Sequence, residues 1–261
     1  MKRTLLNHLP ACIPSGILPL LSGAQVYDSS CSPEARVYFI DKDEGYYLKR
    51  GRAGTLDTEA RMDAYFHKKG LGAEVLYYGT DEYDWLLTSR VRGEDCTHAD
   101  YLADPKRLSA LLGERLRALH ELSAEDCPVQ NRMDGYLALV EENYRTGSYD
   151  KSSFPDSFGY ASAEEAYRVF TEGKHLLRNE VLLHGDYCLP NVMLEDWRFS
   201  GFIDLGNGGI GDRHVDLFWG AWTMWFNLKT NDYRDRFLDA YGRDRVDEDI
   251  LRMIAAAEVF G

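Results

Sequence analysis

Residues 182–205 read LLHGDYCLPNVMLEDWRFSGFIDL. Two apolar runs within it, NVML and FSGFI, flank a polar turn at Glu195 to Arg198, a pattern that predicts a small β-hairpin. His184, Gly185, Asp186, Asn191 and Asp204 then fall at strand and loop ends, where side chains can converge on a ligand. Phosphoryl transfer asks little covalent chemistry of a protein. It needs a carboxylate to orient the attacking hydroxyl and oxygen ligands to hold magnesium on the phosphates. Asp186, Asn191 and Asp204 are residues of those types. The same three also suit turn caps and loop backbone, but the HGD triplet, an Asn five residues on and a later apolar-apolar-Asp together favour the chemical reading.

On the N-terminal side, AQVY, ARVYFI and YYLKR (residues 24–27, 35–40 and 46–50) are β-rich runs. The polar turn DKDEG separates the last two, as in an antiparallel meander. Further strands are expected at Glu74 to Tyr78 and Trp85 to Val91, with Gly79 to Asp84 turning between them. One helix interrupts the strands. Asp57 or Thr58 is its expected N-cap, Met62, Tyr65 and Phe66 its apolar stripe, and Gly70 its end. Glu59 lies on that stripe, and a buried carboxylate needs a cation. Beyond Gly93 the pattern becomes helical: Asp104-Pro105 is a helix start, and Leu108, Leu111, Leu112, Leu116 and Leu119 recur at helical spacing. The reading is an α+β chain with an N-terminal part at 1–91, made of an antiparallel sheet and one main helix, and a mainly helical part at 92–261. A short connection at residues 89–93 joins them.

A chain of 261 residues, 44% hydrophobic and 28% charged, is long enough to bury a sizeable core. Its net charge of −13 repels nucleic acid and anionic membrane surfaces and attracts cations. The five cysteines have no CxxC spacing, which argues against both a disulfide framework and a zinc site and for a reducing, cytoplasmic compartment. Prolines and polar residues break the N-terminal apolar stretch before a signal-peptide core can form. Nothing in the sequence bears on oligomeric state.

HGDYCLPN followed by GFIDLG resembles the signature of the aminoglycoside 3'-phosphotransferases, small-molecule kinases related to the protein kinases. The likeness extends to SPEARVY, YYLK, WLLTSRVRGED and LRALHELSAEDCP. It implies a two-lobed, protein-kinase-like fold and transfer of the γ-phosphate of ATP or GTP, with Mg2+, to the 3'-hydroxyl of a cationic acceptor. By the same resemblance Asp186 is the hydroxyl-orienting base, and Asn191 and Asp204 hold the metal. Lys49 touches the α- and β-phosphates and pairs with Glu59, Ser32 holds phosphate, and backbone from Ser89 to Val91 receives the adenine. Asp156, Glu258 and Phe260 would meet the acceptor. Asp216 falls where the family has an Asp that steadies the catalytic loop, although an Asp opening an apolar helix is equally an N-cap. Trp219, Trp222 and Trp225, three residues apart, read as core.

The loop Asp28 to Arg36 lacks the glycines of the protein kinases. Cys188 stands where their catalytic loop carries Lys, and too little chain separates Asp204 from Asp216 for an activation loop. Protein substrates are therefore disfavoured. Choline, homoserine or sugar kinases of the same fold are the nearest alternative, and a nucleotide-binding pseudokinase is a further one. The departures from the family lie on the acceptor side: Asn207 where Arg is usual, Ala257-Glu258 where two acids are usual, and few acids from Tyr149 to Ser157.

Overall fold

The computed structural model describes residues 3–31, 35–149 and 158–261. In chain order the N-terminal elements are β1 (Thr4–Leu5), α1 (Leu18–Leu21), β2 (Gln25–Asp28), β3 (Arg36–Asp41), β4 (Tyr46–Arg52), α2 (Asp57–Lys68), β5 (Val75–Thr80) and β6 (Tyr83–Ser89). Next come β7 (Glu94–Asp95), α3 (Ala99–Leu102), α4 (Pro105–His120), α5 (Arg132–Thr146), α6 (Ala163–Gly173), β8 (Val181–Leu183), β9 (Val192–Glu195), β10 (Arg198–Phe202) and β11 (Gly209–Gly211). The chain closes with α7 (Arg213–Leu228), α8 (Arg234–Tyr241) and α9 (Glu248–Ala257). The elements group into two compact units: Met1–Gly93 with Met193–Gly206, and Glu94–Val192 with Asn207–Gly261. The hairpin of β9 and β10 thus packs almost wholly with the N-terminal unit, although the sequence places it far into the second part. Among the described residues no helix is long and apolar enough to cross a membrane.

The first unit is a six-stranded antiparallel sheet in the order β1-β2-β3-β4-β6-β5. Side chains alternate across it. Leu48, paired with Tyr38 and Leu87, enters an apolar cluster with Ile17, Ile40 and Trp85. Its neighbour Lys49 takes the opposite face, shared with Leu86. Leu86 packs there against Leu56 and Ala60, which bracket the start of α2. The helix begins at Asp57 after Leu56, and neither Asp57 nor Thr58 caps it. Asp84 does that work from β6, accepting the backbone N–H of Gly54 at 2.9 Å and of Leu56 at 2.7 Å. Asp196 and Trp197, both with positive φ, form the tight turn between β9 and β10.

The second unit is mainly helical around a large apolar core that includes Tyr136, Val140, Phe170, Ile254 and Phe260. α4 and α8 cross closely at Gly113, where a Cβ would stand 2.3 Å from the Phe237 carbonyl oxygen. A short antiparallel pair, β8 with β11, sets Leu183 opposite Gly209 and fixes where the chain leaves β8.

Candidate active site

Alternation on β4 delivers Lys49 to the face covered by α2, and the apolar stripe of α2 delivers Glu59. Their side chains meet, with Lys49 Nζ donating to both Glu59 carboxylate oxygens at 2.9 and 2.8 Å. The same ammonium donates to Asp204 Oδ1 at 2.9 Å. Burial opposes the charge on Lys49, but the Glu59 and Asp204 carboxylates together hold its pKa above the usual lysine value. Burial pushes the Glu59 carboxyl up, against the pull of Lys49. One turn along α2, Asp63 is buried and its carboxyl is raised further, by burial first and by Glu59 second. Periodicity gave no hint of this second acid. Asp204 is exposed and holds φ at +61°, a conformation Asp tolerates better than most residues. Two carboxylates around one ammonium leave the cluster short of positive charge, which suits a cation.

At the end of β6 the amides of Ser89 and Arg90 are spent on the carbonyls of Glu74 and Gly45. Ser89 Oγ accepts from the Glu74 amide at 2.9 Å. Val91 lies two residues beyond Ser89, the last residue of β6. Ser32 and Asp156 lie outside the described residues.

In the second unit the His184-Gly185-Asp186 triplet leaves β8 through Gly185, whose φ is +87°. A Cβ there would stand 1.9 Å from the Asn207 carbonyl oxygen, so only glycine fits. Asp216 is fully buried on α7 and accepts the backbone N–H groups of His184 and Gly185, each at 2.8 Å. It also meets His120 Nε2 at 3.1 Å. The N-cap of α7 is Asp212, which accepts from the His214 amide, so Asp216 instead braces the loop that carries Asp186. Asn191, on the 3-10 turn Leu189–Asn191, donates from Nδ2 to the Asp186 carbonyl at 3.0 Å and to its carboxylate Oδ2 at 2.8 Å. That contact fixes one Asp186 oxygen, and the Cys188 thiol also hydrogen-bonds to the Asp186 carboxylate. The Asn191 contact leaves its own amide oxygen for a ligand.

Asp186 and Gly185 line a cavity of about 250 Å³ together with Arg132, Asn207, Trp219 and Glu258. Burial raises the Glu258 carboxyl to about 7, against hydrogen bonds from Tyr136 and Trp219 and with the negative charge of Asp186 adding to the rise. The Tyr136 hydroxyl donates to Glu258 Oε1 at 2.9 Å. Phe260, expected beside the acceptor, is instead wholly buried behind the wall, its ring edge-on to Tyr144, Tyr149 and Tyr167. The tryptophans of α7 are only partly buried, with Trp219 packed against the apolar core. Trp219 faces this cavity, while Trp222 and Trp225 line a second one with Arg234 and Arg252. Cys188 is partly buried and burial pushes its thiol up, which keeps it protonated and inert. Arg132 and Tyr136, absent from the motif, are supplied by α5, which carries no signature in the sequence.

Magnesium takes oxygen ligands and often only one or two from protein, the rest coming from phosphate and water. The Asn191 amide oxygen and the Asp204 carboxylate are donors of that kind. Among the described residues no group of three or more His, Cys, Asp or Glu forms a cluster that could hold a metal by itself.

Residues 33–253 match the phosphotransferase enzyme family. A probable aminoglycoside 3'-phosphotransferase of Lactococcus lactis subsp. lactis (strain IL1403) is 50% identical over 249 residues, 95% of either chain. The crystal structure of an aminoglycoside-3'-phosphotransferase of type VIII superposes with a TM-score of 0.75 at 23% identity, covering 92% of this chain and 94% of that one. The aminoglycoside phosphotransferase APH(3'')-Id of Streptomyces rimosus, in complex with ADP and streptomycin, superposes at 0.72 with 21% identity over 86% and 90%. These two likenesses carry the two-part, protein-kinase-like α+β fold. The length of the family match and the identity to the Lactococcus protein carry the kinship: the chain belongs to the phosphotransferase enzyme family.

Proposed function

We propose that this chain moves the γ-phosphate of ATP to the 3'-hydroxyl of an aminoglycoside. The observation that carries the reading is the double hold on Asp186, clamped by Asn191 and set on a loop that Asp216 braces, at the wall of a cavity that also holds an acid near neutrality. An Asp186 carboxylate oxygen accepts the proton of the acceptor's hydroxyl as the hydroxyl oxygen attacks the γ-phosphorus. The bond from phosphorus to the bridging oxygen breaks, and ADP leaves with the electron pair. Lys49, held by Glu59, meets the α- and β-phosphates, and the Val91 amide and the backbone beside it receive the adenine. Asn191 and Asp204 would each offer an oxygen to Mg2+, which would neutralise charge on the phosphates. The name of the Lactococcus relative supports the acceptor class, and the ADP and streptomycin bound to the Streptomyces protein support the nucleotide and a small cationic acceptor. The cysteine pattern supports a reducing, cytoplasmic setting.

The test is coupled ADP release across aminoglycosides, choline and homoserine, with wild type and Asp186→Ala. Aminoglycoside-dependent turnover that falls at least a thousandfold in the variant, with ATP affinity within about threefold, is the expected result. Preference for choline or homoserine would move the chain to the related kinases.

A further inference from the structure

A pocket meant for a polycation would be expected to show only acids and neutral groups, and this one does not. Among the described residues that line it, Arg132 is the single basic side chain. Its two hydrogen bonds go to neutral oxygens of one residue, Nε to the Asn207 carbonyl at 2.8 Å and Nη2 to Asn207 Oδ1 at 3.0 Å. Burial lowers its pKa, and the charges that oppose this, Tyr136 and Glu258, do not restore it. A guanidinium nevertheless stays protonated and carries five N–H donors and no acceptor. Two donors are occupied by Asn207, so three remain.

The cavity, at about 250 Å³, is smaller than the ~300–1,000 Å³ of pockets that enclose a whole drug-sized ligand. It has room for one sugar ring, the ring that carries the reacting hydroxyl to Asp186. The other substituents of that ring then meet walls of opposite sign. Glu258 can accept from an ammonium. Arg132 cannot, because an ammonium has no lone pair to offer and a like charge beside a half-buried guanidinium is repelled. A hydroxyl at the same ring position offers the lone pair that a spare N–H needs.

We propose that Arg132 is a specificity residue that requires oxygen, and rejects ammonium, at one position of the phosphorylated ring. This rests on the aminoglycoside reading above. It explains how a pocket with only Asp186 and Glu258 as acidic side chains among its described lining residues would still discriminate: it selects where charge is absent as well as where it is present.

The experiment compares pairs of aminoglycosides that differ only by hydroxyl against amine, at the 2' position in one pair and the 6' position in another. For wild type, one of the two pairs should show at least tenfold higher kcat/KM for the hydroxyl member, about 1.4 kcal/mol of discrimination. Arg132→Gln should bring that ratio below threefold, and Arg132→Lys, which keeps the charge, should retain it. A role confined to holding Asn207 would lower all acceptors alike and leave the ratio unmoved. The proposal is overturned if both wild-type ratios lie within threefold, a result that needs no variant to fold, or if Arg132→Gln keeps the wild-type ratio. Those outcomes leave the proposed function standing. Absence of turnover with every aminoglycoside would overturn that function and this inference with it.

Discussion

The Asp216 carboxylate accepts the Gly185 amide at 2.8 Å, 31 residues away in sequence, and the His184 amide with its other oxygen. A charged acceptor on α7 thereby sets the backbone from which Asp186 projects. Asp216→Ala would strand two buried N–H groups, at about 1–3 kcal/mol each. Thermal denaturation should show a loss of about 2–6 kcal/mol. The milder Asp216→Asn, which keeps the shape and one acceptor oxygen, should fold and lose at least tenfold in kcat while KM for ATP stays within threefold. An unchanged kcat in folded Asp216→Asn would show that Asp216 only packs the helix.

The Lys49 cluster makes a different demand. Asp204→Ala should weaken Mg-ATP binding and turnover together, since it removes a negative oxygen offered to the metal and one of two carboxylates on the lysine. Lys49→Ala should raise KM for ATP and lower kcat, with the added cost of leaving Glu59 buried and unpaired. Magnesium titrations of Asp204→Ala that overlay the wild type would remove it from the ligand set.

Glu258 predicts a pH dependence. Its folded pKa of about 7 lies above the ordinary carboxyl value, by burial first. The carboxylate that receives an ammonium therefore forms as pH rises through about 7, and KM for the acceptor should fall over that interval. Glu258→Gln should flatten the fall, which separates it from titration of the acceptor's own amines. The stability effect has the opposite sense. A carboxyl with a raised folded pKa contributes most below its unfolded value near 4.3 and loses that contribution as pH climbs to about 7.

The parts of the site visible in the sequence were those set by local rules. Helical spacing put Glu59 on the buried stripe, and the turn between NVML and FSGFI appears where residues 195–198 predict it, whereas Lys49 was named through the family resemblance. What local rules could not reach came from distant chain. Asp84 caps α2 from a strand, Asp216 braces a loop from a helix, and α5 brings Arg132 and Tyr136 to the wall of Asp186 with no motif of its own. The tryptophan stripe misled because a three-residue spacing records only that the side chains share a helix face. On α7 that face borders two cavities.

If Asp186 delivers a 3'-hydroxyl to the γ-phosphate, regiochemistry must follow from it. The measurement is kcat/KM for a kanamycin-like or neomycin-like acceptor against its 3'-deoxy analogue, with the product's phosphate located by NMR. Phosphate on the 3'-oxygen and at least a thousandfold lower turnover of the deoxy compound are the expected result. Undiminished turnover of the 3'-deoxy analogue, or phosphate found on another oxygen, would contradict it.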